Sequence, residues 1–66
     1  MFNVNQIVKG KVAGTFVVLG QRTVDGVEGY QLKSVNPANF SQTSPGEMWL
    51  PAYNLVSLEE HHTYVK

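Results

Sequence analysis

The sequence predicts a small all-β domain of five strands, with a single 3₁₀ turn before the last of them, and three observations carry that expectation. Gly46 to Leu58 (GEMWLPAYNLVSL) spells strand, Pro-led turn, strand. Asp25-Gly26 is the strongest hairpin signal in the chain, because glycine accepts the positive φ that tight turns demand. Thr15 to Thr23 concentrates Thr, Phe, Val and Leu, residues that suit a pleated, half-buried surface.

Taken in order, Phe2, Val4, Ile7 and Val8 are apolar among Asn and Gln, which predicts an extended lead-in and a first strand over about Gln6–Lys11. Gly10 and Gly14 bracket a corner. The second strand, Thr15–Thr23, contains Phe16-Val17-Val18-Leu19, apolar on both faces, so either both faces are covered or one meets a partner. Gly20 lies in its middle, where a small sheet must bend sharply. Gly29–Val35 returns as a third strand, with Tyr30 and Leu32 on one face and Gln31 and Lys33 on the other. Asn36 to Pro45 (NPANFSQTSP) has the composition of a loop, with Phe40 its single large apolar residue.

The fourth strand, Glu47–Leu50, places Met48 and Leu50 on one face and Trp49 on the other. Pro51 lacks a ladder donor and stops it, and Pro51 to Asn54 suits one 3₁₀ turn. Leu55 and Leu58 return to the core. The domain is therefore expected over residues 1–58, with Glu59–Lys66 (EEHHTYVK) as a polar C-terminal tail.

A 66-residue chain is one domain and buries only about 60% of the surface its unfolded form exposes, so added burial through self-association would help it. No Cys is present, which rules out disulfides and fits a reducing cytoplasm. The longest apolar run is far short of the roughly 18 residues of a membrane span, so a soluble cytoplasmic protein with no membrane partner is expected. A formal net charge of zero argues against the phosphate backbone of a nucleic acid as the main partner.

The residues do not assemble a catalytic set. His61 and His62 are the only histidines, and as neighbours they point apart, which makes a poor metal site. Ser34, Ser41, Ser44 and Ser57 have no glycine-flanked elbow, and Asp25, Glu28, Glu47, Glu59 and Glu60 form no recognisable acid and base pair. No glycine-rich phosphate loop opens a helix, and no cofactor is expected. What remains is aromatic: Trp49, Tyr53 and Phe40, of which Trp and Tyr are the residue types that most often anchor interfaces; Trp49 either packs under the 36–45 loop or forms a contact surface, and Phe40 either anchors that loop or touches a partner.

The order of strands over residues 6 to 58, together with Gly46, Leu50, Pro51 and Leu55, resembles SH3-like barrels, in which a Pro-led 3₁₀ turn precedes the last strand. The peptide-binding members end that turn with a groove tyrosine; here Tyr53 and Asn54 stand in swapped order, so proline-rich peptide recognition is not carried over. The chain is also similar to plasmid-encoded type II dihydrofolate reductase in Glu28-Gly29-Tyr30, Pro51, Leu55 and Leu58. That resemblance implies a homotetramer with Trp49 at a subunit interface. Met48, Trp49 and Leu50 occupy the positions of that family's pore-lining Gln-Ile-aromatic segment, so the activity itself is not expected.

The leading expectation is a non-enzymatic binding or assembly module whose partner is a protein or a second copy, with Trp49, Tyr53 and Phe40 as contacts. One alternative is a reductase-like tetramer binding a nicotinamide cofactor, with Lys9 or Lys11 touching its phosphate. Another is a nucleic-acid-binding barrel using Lys9, Lys11, Arg22 and Lys33.

Overall fold

A computed structural model describes residues 2–58, so the tail expected over residues 59–66, with His61 and His62, lies outside the described residues. The fold is all-β. Its elements are β1 (Ile7–Gly10), β2 (Thr15–Val24), β3 (Val27–Asn36), β4 (Asn39–Thr43), β5 (Met48–Pro51), the 3₁₀ turn Ala52–Asn54 and β6 (Leu55–Ser57). All pairings are antiparallel, in the order β4-β3-β2-β1-β6, with β5 also on β3. Among the described residues β6 and β5 do not pair, so the sheet is open.

The β2–β3 hairpin dominates the fold. Val24 pairs Val27, and both turn residues have positive φ, 51° at Asp25 and 80° at Gly26. That is the turn geometry whose twist matches the flanking strands, so the Asp-Gly pair fixes the register of ten-residue strands on either side. The register steps once, between Val18 and Gly20, where Leu19 and Gly20 together oppose Gln31. Such a bulge bends the strand and increases its twist, which lets β2 pair β1 through its first half and run on past it.

The sequence expectation of a loop over residues 36–45 is corrected here. Asn36 Oδ1 accepts the Ala38 N–H at 2.8 Å, closing a tight turn at Pro37-Ala38, and the chain doubles back as β4. The Asn36 side-chain amide then donates to Gln42 Oε1 at 2.8 Å. Composition suggested a loop because Asn and Pro build the turn, while the five strand residues that follow it are nearly all polar and exposed. β4 and β5 then follow one another along the same edge of β3, Asn39 opposite Asn36 and Pro51 opposite Gly29. The Ser44 N–H donates to Ser34 O at 2.9 Å between them. Among the described residues the return path along β3 is thus interrupted, with β4 and β5 as its two segments.

The core lies on one face. Val8, Phe16, Val18, Tyr30, Leu32 and Leu55 form it, with Phe2, Leu50 and Ala52 packed against its edge. Leu32 is fully buried, so truncating it to Ala would cost about 2–5 kcal/mol. The expected extended lead-in instead turns at Asn5 (φ 71°), which folds Phe2 back onto Tyr30 with ring centroids 5.3 Å apart. The Tyr30 hydroxyl accepts the Phe2 N–H at 3.1 Å, giving a buried phenol its partner.

Candidate functional site

The Pro-led stretch Met48–Asn54 presents its aromatic residues in two different ways. Cross-strand partners share a face of a sheet, so Leu50 opposite Tyr30 faces the core and Trp49 opposite Gln31 faces away from it. There the indole crosses β3 at Gly29 and donates its Nε1–H to Arg22 O on β2 at 2.8 Å. Glycine is required beneath it: a Cβ at Gly29 would collide with Leu50 O and lie 2.6 Å from the Trp49 ring. Trp49 is half-buried and spans three strands.

Tyr53 sits in the 3₁₀ turn and is 67% exposed. The turn follows Pro51 and closes when the Leu55 N–H donates to Ala52 O. Opposite it, the β1–β2 corner is held by Gly10 N–H to Gly14 O at 3.0 Å and by Lys11 N–H to Asn54 O at 2.7 Å. Corner and turn enclose a cleft of about 110 Å³ lined by Gly10, Lys11, Val12, Ala13, Leu50 and Asn54. Ligand pockets for drug-sized molecules run to roughly 300–1,000 Å³, so this cleft suits one side chain and not a dinucleotide.

Phe40 lies in β4 and is 40% exposed. Its neighbour Asn39 pairs with Asn36, whereas β5 runs into the Tyr53 turn from Pro51 opposite Gly29, so the two aromatics sit toward opposite ends of β3. At about 3.3 Å per residue that separation is on the order of 20 Å along the strand. The structure therefore does not bring Trp49, Tyr53 and Phe40 into one cluster. The candidate phosphate contacts separate as well: Lys9 is half-buried in β1 opposite Thr15 and Val56, while exposed Lys11 lines the cleft.

Among the described residues, besides Tyr53 and Phe40, the exposed large apolar residues are Val4, Val12, Val27 and Met48, none of them expected as a contact. Val12, 96% exposed, stands at the tip of the corner beside the cleft, and its place between Gly10 and Gly14 was the available signal. Met48, 41% exposed, is on the core-facing side of β5 but at the sheet edge, a position that period-two patterning does not reveal.

Among the described residues no group of three His, Cys, Asp or Glu could hold a metal, and no helix is long and apolar enough to cross a membrane. Comparison of the chain with protein-family models, with curated proteins and with solved structures found no match.

Proposed function

We propose that this chain is a non-enzymatic binding module of SH3-like barrel architecture, engaging a protein partner through the surface formed by its 3₁₀ turn and the β1–β2 corner. The architecture is supported by a long second strand bent at a bulge, by a third strand whose other edge carries one interrupted return path, and by a 3₁₀ turn leading into a last strand on β1. Counted by path, β4 and β5 take the place of one strand, so the open sheet follows the five-strand order of such barrels.

One observation carries the functional reading: an apolar-floored cleft of side-chain size has exposed Val12 in its lining, and its Asn54 wall is next in sequence to exposed Tyr53. Solvent-exposed tyrosine beside a small pocket is a favourable anchor, since it offers a large amphipathic contact at low entropic cost. Lys11 and Asn54 supply polar contacts at the rim.

The test compares wild type with Tyr53→Ala. Proteins retained on immobilised wild-type chain should be lost from the variant, and any self-association seen by light scattering should fall with it, while unfolding midpoints agree. Retention of the same partners by Tyr53→Ala would defeat the proposal.

A further inference from the structure

The sheet face turned away from the core carries a second pattern, separate from the cleft. Two adjacent rows cross β6, β1, β2 and β3 on this face. One reads Ile7, Val17, Lys33 and the other Val56, Lys9, Thr15, each set in direct cross-strand register. Val56 and Thr15 are buried, while Ile7, Val17, Lys9 and Lys33 are half-buried. Lysines in that state lay their methylene stems along apolar neighbours and hold the ammonium group at the rim. Val17 thus lies between two cations, Lys33 directly beside it and Lys9 diagonally across. Arg22 adds a third cation on the same face beyond the bulge.

Among the described residues two of the three carboxylates are placed elsewhere. Asp25 is in the hairpin turn, and Glu28 pairs with Thr23 on the other alternation. Glu47, one residue beyond the Leu32–Met48 pair and on the alternation of Trp49, borders this face beside Lys33 without forming an ion pair with it. Among the described residues the face thus carries Lys9, Lys33 and Arg22 against Glu47 at its β5 edge, a net positive charge although the chain as a whole is neutral.

We propose that this face is a docking site for an extended acidic protein segment that sets an apolar side chain on Val17 and Ile7 between two carboxylates. Residues two apart in an extended chain share a face about 7 Å apart, so Glu-x-Val-x-Glu places its carboxylates toward Lys9 and Lys33 with its Val over the apolar centre. A nucleic acid fits less well: three cations neutralise few phosphates, and the centre of the patch is aliphatic. One face of the Trp49 ring is also occupied by Gly29.

Amide chemical shifts of the full chain should be followed while titrating an end-blocked Glu-Ser-Val-Ser-Glu peptide, its Lys-Ser-Val-Ser-Lys counterpart, and a short oligothymidylate. The expected result is saturable shifts at Ile7, Lys9, Val17 and Lys33 with the acidic peptide alone. These should weaken about tenfold in Lys9→Glu/Lys33→Glu, the combined effect of two rim charges, and persist in Tyr53→Ala. Lys9→Gln/Lys33→Gln should weaken binding by less, and it takes the place of the reversal variant if that one fails to fold. Absence of shifts on this face, shifts indifferent to charge reversal, or tighter binding of the oligothymidylate to the same residues would each overturn the proposal.

Discussion

Trp49 and Tyr53 are four residues apart in one short stretch, and both are candidate contacts in the sequence. The fold treats them differently. Trp49 is on a strand whose neighbour offers Gly29, so its ring drops onto the backbone and its N–H finds Arg22 O. Tyr53 is on the 3₁₀ turn, outside the strand ladder, and remains 67% exposed. The difference teaches that an outward-facing aromatic is sorted into fold or surface by what stands opposite it, and less by its own chemistry.

That contrast can be broken most severely from beneath. Gly29→Ala inserts a methyl group against backbone as well as the indole, so the strand pair must shift; a loss of about 3 kcal/mol in urea unfolding is expected. Next is Trp49→Ala, which removes a half-buried ring bridging three strands and should cost about 2 kcal/mol. Trp49→Phe, keeping ring area but not the donor, should recover about half of it. Gln31 lies beside Trp49, and its buried Oε1 has no hydrogen-bond partner. Gln31→Met should therefore raise stability by about 1 kcal/mol, read as a higher denaturation midpoint. Smallest is Tyr53→Ala, with a change within about 0.5 kcal/mol. A loss as large as that of Trp49→Ala would erase the distinction between the two residues.

The local elements were legible because local chemistry determines them. Asp25-Gly26 dictates a hairpin, Gly20 marks the bulge, and Pro51 with Ala52–Asn54 marks the turn. Residues 36–45 were misread because a polar, exposed strand has no hydrophobic alternation to show; only the Asn36 side chain, bonded within its own turn, reveals the reversal. The site was less legible. That Gly29 makes a seat for Trp49 depends on a register linking positions twenty residues apart, and the cleft depends on Lys11 meeting Asn54 across the fold. Neither link has a local signature. Phe40 shows the same limit from the other side, since its grouping with Tyr53 as a contact does not survive once β4 is placed toward the far end of β3 from the turn.

The most direct test uses the fact that Trp49 is the sole tryptophan, so its indole N–H gives one resolved signal. Hydrogen exchange of that proton, measured by NMR under native conditions, reports whether Trp49 belongs to the fold. If the ring is fastened to Arg22 O over Gly29, exchange should be protected and should accelerate in Gly29→Ala. Exchange at the rate of a free indole would contradict the account and return Trp49 to the surface beside Tyr53.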